Sequence, residues 1–295
     1  VIPAKQPSLF KETRSRKPAR TYSAGGVTVR EVTCKSVLNA CGIDDYSFNG
    51  YTGCAHGCVY CYARYMQRFH PHTEAWGKFV DVKVNAPEVL ARQLRRRKPG
   101  SVFTCSACDG WQPLERKHEL TRRCCELLLG AGFHLGVLTK SDLVLRDLDV
   151  FAGRDVRVGV TITTPDESEA RLWEPKASPV SARVKVLKQA KAAGLETSVM
   201  FGPLLPGISD TPEALGRLFE LAAEVGVDHI WTDMLNRRPL VWPSVRSFLR
   251  RHRPDLLDHY KRVLFDRAFR ADYEKELDKR IDAAARASGM TGRMA

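Results

Sequence analysis

The segment CAHGCVYCYARY, from Cys54 to Tyr65, sets Cys54, Cys58 and Cys61 in a C-x3-C-x2-C spacing, with Tyr60 and Tyr62 on either side of the last thiol. Three thiolates at this spacing can curl around a metal centre, and soft sulfur ligands select zinc, copper(I) or an iron–sulfur cluster. A structural zinc normally takes four protein ligands. The one further donor nearby is His56, awkwardly placed inside the loop, so zinc would have to recruit Cys105 or Cys108. A cubane 4Fe–4S cluster held by three cysteines instead keeps one iron open for a substrate. On that reading the absent fourth ligand is the chemistry.

The surrounding chain suits such a centre. Nine cysteines, odd in number and grouped, do not form a disulfide framework and point to a reducing compartment. The N-terminal VIPAKQPSLFKETRSRKPAR has basic residues with no apolar core behind them, so it does not read as a signal peptide. No apolar run approaches the length of a membrane span. The expectation is a cytoplasmic protein of 295 residues that buries its core without a covalent staple. Its formal net charge of +13 gathers in the first forty residues, at Arg95 to Lys98, and from Arg237 onward. Such a balance favours a polyanionic partner, DNA, RNA or a nucleotide, against the plainer reading of a solubilising surface.

The elements that must position the thiols read as α/β. Apolar or β-branched runs at 101–105, 134–140, 156–163, 195–201 and 228–234 alternate with helical patterns, several opening on Ser, Thr or Asp and closing on Gly. Strands separated by amphipathic helices imply βαβ units and a parallel sheet. With a strand near 50–53, about six units result, the pattern of a partial (β/α)6 TIM-like barrel; a doubly wound sheet shares the same alternation. The expected organisation is a basic N-terminal arm at 1–49 with one strand-like piece, GGVTVREVT, the barrel at 50–236, and a helical extension at 237–295. In a barrel the loop after the first strand opens at the C-terminal face, where sites are built.

The cysteine spacing with Tyr60 before its last member is the radical S-adenosylmethionine (SAM) signature. NGYTGCAHGCVYCYAR, TCSACDGWQPLERKHELTRRCCELLL, GVLTKSDLVLRDLDVF, GVTITTPDESEARLWEPKASPVSARVKVLKQAKAAGL and MFGPLLPGISD follow one another and resemble the spore photoproduct lyase-like branch of that superfamily over about 48–235. Two departures stand out: Gly50 replaces a proline common in the N-P-Y-x-G-C start, and Gly110-Trp111 separates Asp109 from Gln112-Pro113 where small residues are usual. The resemblance implies a 4Fe–4S cluster on Cys54, Cys58 and Cys61, cleavage of SAM to a 5′-deoxyadenosyl radical, hydrogen abstraction from substrate, and a reducing partner such as flavodoxin or ferredoxin. It places Lys140 on the cofactor carboxylate and puts Cys108, Asp109, Ser106, Tyr60, Tyr62 and Ala63 near the cofactor. Thr161 and Thr163 would meet the methionyl part or ribose. In the lyases a cysteine and two tyrosines return a hydrogen atom; the tyrosines match Tyr60 and Tyr62. The cysteine position falls at Ser106, leaving its neighbours Cys105 and Cys108 as donors.

Each assignment has a plainer alternative. Lys140 is otherwise a strand-capping surface lysine, and Thr161 and Thr163 are strand formers. Cys105 and Cys108 form a C-x2-C that suits a redox pair or, with Cys34 and Cys41, a second cluster. Cys124 and Cys125 read as helix packing. Arg64, Arg68 and the run at Arg95 line a phosphate path or a solvated face. A peptide or small metabolite as substrate, and a non-enzymatic zinc or iron–sulfur nucleic-acid binder, are the competing functions.

Overall fold

The computed structural model describes residues 20–295. Its strands are β1 (Arg20–Ala24), β2 (Val27–Val32), β3 (Leu38–Ala40), β4 (Tyr46–Phe48), β5 (Tyr51–Thr52) and β6 (Phe79–Lys83). They continue with β7 (Ser101–Thr104), β8 (His134–Thr139), β9 (Val156–Thr161), β10 (Glu196–Leu204) and β11 (His229–Met234). The helices begin with α1 (Ala86–Leu94), α2 (Glu115–His118), α3 (Leu120–Gly130), α4 (Leu148–Phe151) and α5 (Glu167–Trp173). After these come α6 (Val180–Ala192), α7 (Pro212–Val225), α8 (Val241–His252), α9 (Leu257–Phe265) and α10 (Arg267–Ala287).

The larger sheet has seven strands in the order β11-β10-β9-β8-β7-β4-β3. All neighbours from β4 to β11 are parallel, and β3 adds an antiparallel edge. A parallel strand covered on both faces must be apolar nearly throughout. β9, VRVGVT, is buried everywhere except at half-buried Arg157. Helices close the crossovers with local signals: the Thr211 hydroxyl accepts from Ala214 N to start α7, and Gly226, at φ +69°, ends it. Between those ends Leu215, Leu218, Phe219 and Ala222 face the core.

The expected first strand at 50–53 is corrected. The sheet's first parallel strand is Tyr46–Phe48, while Tyr51–Thr52 turns away to pair with β6 in a second sheet of order β1-β2-β6-β5. The arm read over 1–49 lies outside the described residues up to position 19. From Arg20 to Asn49 the chain instead contributes four strands, two to each sheet. Its Val27, Val29, Val37 and Leu38 are buried, which an arm could not achieve. At the other end α10 packs on α7: Tyr273, Leu277 and Ile281 join the main core, and the Tyr273 hydroxyl donates to Asp210 at 2.7 Å. Among the described residues no helix is long and apolar enough to cross a membrane.

Gly53, immediately before the first cysteine, lies close against β6, the neighbour of β5 in the smaller sheet. It sits at φ +83°, and a Cβ there would come within 2.6 Å of the Phe79 carbonyl oxygen. Gly53→Ala should therefore cost roughly 3 kcal/mol of unfolding free energy, strain plus clash. Gly226→Ala, with the same sign of φ but open space around it, should cost about 1 kcal/mol. Urea titration of the two variants checks the order, and equal losses would remove the close approach as the reason for glycine.

Candidate active site

The cysteine loop leaves β5 as irregular backbone, so its polar groups must be satisfied from elsewhere. Buried Gln112 does much of this: its Oε1 accepts from Ala55 N at 2.8 Å and its Nε2 donates to Gly53 O at 3.4 Å. Val59 N donates to Trp173 O, while Val59 O accepts from the Ser244 hydroxyl of α8. Arg64 donates to the carbonyls of Cys58 and Val59. Gly57 lies against Gly77, where a Cβ on Gly77 would stand 2.6 Å from the Gly57 Cα. The loop is held from four directions by backbone and amide contacts, which leaves its thiols free for another task.

All three thiols are free, with Cys54 and Cys58 buried and Cys61 half-buried. Burial pushes each one up, Cys58 to about 12 with Glu174 adding to the effect. Thiols in such a place ionise only when a cation takes them as ligands. Two buried N–H donors next to them lack any partner, Trp76 Nε1 and Arg64 Nε. Trp76 packs against Cys54 and Cys61. Unpartnered donors beside ligand thiols fit a centre rich in sulfur acceptors. His56, inside the loop, is turned by its Nδ1 to the Asp109 carboxylate at 3.4 Å. Among the described residues no three His, Cys, Asp or Glu side chains converge on a single ion. The three-thiol set with its spare donors suits a 4Fe–4S cluster on Cys54, Cys58 and Cys61.

The ends of the parallel strands meet this loop. Asp109, after β7, accepts from Thr139 Oγ1 at 2.7 Å, Lys140 N at 2.8 Å and Trp111 N at 2.9 Å. Burial opposes its charge, yet His56 and these donors outweigh burial and bring the carboxyl down to about 2. With its oxygens so engaged, Asp109 serves the loop geometry. Lys140, at the end of β8, points its ammonium to within 4.0 Å of Glu174 and 5.7 Å of the Tyr60 ring. Thr163, just past β9, lies 2.9 Å from the Tyr60 hydroxyl and 2.7 Å from Glu174. Thr161 offers its carbonyl to Arg183 at 2.9 Å.

Tyr60 and Tyr62 part company. The Tyr60 hydroxyl is buried and donates to Glu174, whereas Tyr62 is 39% exposed and donates to the Ser106 carbonyl. Ala63 is buried with Cys54 and Trp76. Ser106 belongs to a loop stapled by Asn49, whose amide donates to Ser106 Oγ at 3.1 Å and accepts from Ala107 N at 2.8 Å. Cys108 is half-buried with its thiol 3.7 Å from the same Asn49 oxygen, and Cys105 is buried beside it. The facing Cys108 thiol, then burial, pushes Cys105 well up.

Four residues that sequence reasoning passed over complete the site: Asn49, Gln112 as a loop anchor, Glu174 and Arg183. Glu174 and Arg183 are a fully buried ion pair that also receives Tyr60 and Thr163. Burial opposes the Glu174 charge, but Arg183 and then Lys140 prevail and hold the carboxyl below its ordinary range. Arg183 in the first turn of α6 was the available signal, a charged residue in register with that helix's buried Val180, Val186 and Leu187. The other expectations sort simply. Cys124 and Cys125 are buried on α3, Cys34 packs on the core edge, and the run at Arg95 precedes β7, at the strand end away from the thiols.

Residues 48–222 match the family model described as the radical SAM superfamily. An uncharacterized protein of Mycobacterium tuberculosis is 32% identical over 262 residues, spanning 84% of this chain and 76% of that one. Spore photoproduct lyase complexed with dinucleoside spore photoproduct has a similar fold, with a TM-score of 0.67 at 16% identity over 90% of this chain and 81% of the lyase. A variant of that lyase with bound AdoMet and the dinucleoside gives 0.68 at 17% identity over 90% and 80%. With its three-thiol loop, its parallel strand ends and these matches, the chain belongs to the radical SAM superfamily, enzymes whose cofactors are a 4Fe–4S cluster and SAM.

Proposed function

We propose that this enzyme abstracts hydrogen from a damaged or modified base in nucleic acid or a nucleotide and returns a hydrogen atom from its own thiol. The observation that carries the reading is the loop from Cys105 to Asp109, which packs its half-buried Cys108 thiol against the cysteine loop and accepts the exposed Tyr62 hydroxyl at the Ser106 carbonyl. The net charge of +13 supports a polyanionic substrate. The lyases of similar fold bind a dinucleoside lesion.

On this reading Cys54, Cys58 and Cys61 hold the cluster, which with SAM supplies a 5′-deoxyadenosyl radical by reductive cleavage. Lys140 pairs with the cofactor carboxylate, as suits a cation at a strand end. Thr161 and Thr163 would meet the methionyl part or ribose, and the backbone of Tyr62 and Ala63 would meet the amino group. Cys108 would break its S–H bond and pass the hydrogen atom to the substrate carbon, Tyr62 would restore the thiol from its O–H, and one electron from the reducing partner with a proton from solvent would restore Tyr62, so that 5′-deoxyadenosine is released. Tyr60, its hydroxyl committed to Glu174, positions Lys140 and Thr163 instead. The six parallel strands curl as a partial barrel around this chemistry, with 237–295 as its helical extension.

Anaerobic reconstitution followed by addition of SAM, dithionite and a UV-irradiated thymine oligonucleotide tests the first step. 5′-Deoxyadenosine should form, and Cys58→Ala should lower it at least about 100-fold, beyond what loss of an outer partner does. Its formation without any change in the oligonucleotide would move the substrate to a peptide or small metabolite. The hydrogen donor is tested separately. Cys108→Ala should lower repaired product about tenfold or more while 5′-deoxyadenosine persists, and Cys105→Ala should not. Unchanged product in both variants would remove the thiol from the mechanism.

A further inference from the structure

Helix α8 has two faces with different business. Val241, Val245 and Leu249 are buried in one apolar cluster with Cys58 and Tyr60, so the helix lies directly against the cysteine loop. Its outer face carries Arg246, Arg250 and Arg251, all exposed and without an ion pair among the described residues. Arg253, just beyond, pairs with Glu169 and Asp255, so acidic partners are within reach of this segment but do not serve those three. A helix C-terminus favours cations on its last turn, which accounts for Arg250 and Arg251 but not for Arg246 in mid-helix.

Two adjoining clefts, of about 400 and 480 Å³, run along this face and share Pro243, Ser247 and Arg251. The larger one reaches Val59, Arg64 and Trp76 on the outer side of the cysteine loop. Trp76 therefore lines the groove and packs on Cys54 and Cys61 at once. One side chain separates this surface from the ligand thiols. The residues on the substrate side, Ser106, Cys108, Lys140 and Thr163, line neither cleft.

Reductive cleavage of SAM consumes one electron, which must come from outside the chain. We propose that the arginine face of α8 docks an acidic one-electron carrier protein that delivers this electron across the Trp76 side of the loop. One electron passes from the reduced carrier to the oxidised cluster; the carrier leaves oxidised by one electron, and no atom is exchanged. A nucleic-acid strand fits this face less well. The aromatic rings along the groove are already engaged, Phe248 with Trp173 at 4.2 Å and His252 at 4.8 Å, and Trp242 with Phe265 at 5.4 Å. Bases would find phosphate contacts but no free stacking platform. The inference goes beyond the substrate reading and does not depend on it.

The probe is a photoreduced flavodoxin, added to reconstituted enzyme while cluster reduction is followed by absorbance and electron paramagnetic resonance. The Arg246→Glu, Arg250→Glu, Arg251→Glu triple variant should be reduced by flavodoxin at least about tenfold more slowly, as expected for a reversed steering surface. Its reduction by dithionite should stay at the wild-type rate, and its affinity for oxidised flavodoxin should fall. Reversal of Arg95, Arg96 and Lys98 to Glu makes the same charge change far from the groove and should leave flavodoxin reduction intact. Should the α8 variant fail to take up a cluster, the Arg→Gln version at the same three positions carries the test. An unchanged flavodoxin rate, or an equal loss in the remote variant, overturns the proposal. So does loss of oligonucleotide binding with flavodoxin reduction intact, which would assign the face to nucleic acid.

Discussion

The Asp109 carboxylate is the point through which the site is assembled. It accepts from the end of β8 twice, from its own loop once, and stands against His56 of the cysteine loop. A buried charge is tolerated only when its lone pairs are filled, so each of those segments has one position relative to the others. Cys108, one residue earlier, inherits that position, as does Lys140, whose backbone N–H is one of the donors. The cysteine loop and the strand ends reach register because a single carboxylate needs both of them.

A second buried charge divides the labour further. Glu174 is enclosed by Arg183, Tyr60 and Thr163, with Lys140 at the edge. Losing one partner of such a pair typically costs about 3–5 kcal/mol, while an apolar replacement of both can be neutral. Retaining the ions here makes sense if their value lies in geometry. Arg183 satisfies most of the carboxylate's charge, and Lys140, 4.0 Å away, is left under-committed. An ammonium poised beside a partly neutralised carboxylate can turn to an incoming carboxylate at low cost, a sharper account of Lys140 than its place at a strand end.

What the sequence made legible was local. The cysteine spacing, the strand runs with Lys140 and Thr161 near their ends, and the caps of α7 all lie within a few residues of the features they control. Tyr60 and Glu174, by contrast, are 114 residues apart, and Ala55 and Gln112 are 57 apart. No periodicity announces that a glutamate in WEPKASP will be buried against an arginine on the next helix. The three-residue strands Leu38–Ala40 and Tyr46–Phe48 are too short for an alternating pattern to emerge. Composition rich in Lys, Arg, Ser and Gly then reads as an arm. Their pairing is a tertiary outcome: Tyr46–Phe48 is a strand because β7 lies beside it.

The cysteine loop therefore has two sides with unlike surroundings, and this asymmetry follows from how it is fastened. On the inner side it meets the strand ends, where His56 stands against Asp109 and the Tyr60 hydroxyl lies by Thr163. On the outer side it is fastened by Ser244 and backed by Trp76 and Arg64, under a helix whose exposed charged residues are all basic. Radical chemistry needs the first side closed to solvent, since a reactive carbon intermediate is quenched by stray donors. Electron entry needs the second side near a surface. On the proposed substrate and electron routes, a loop pinned along one edge by α8 and along the other by Asp109 would meet both demands without moving, because substrate and electron would not share an approach.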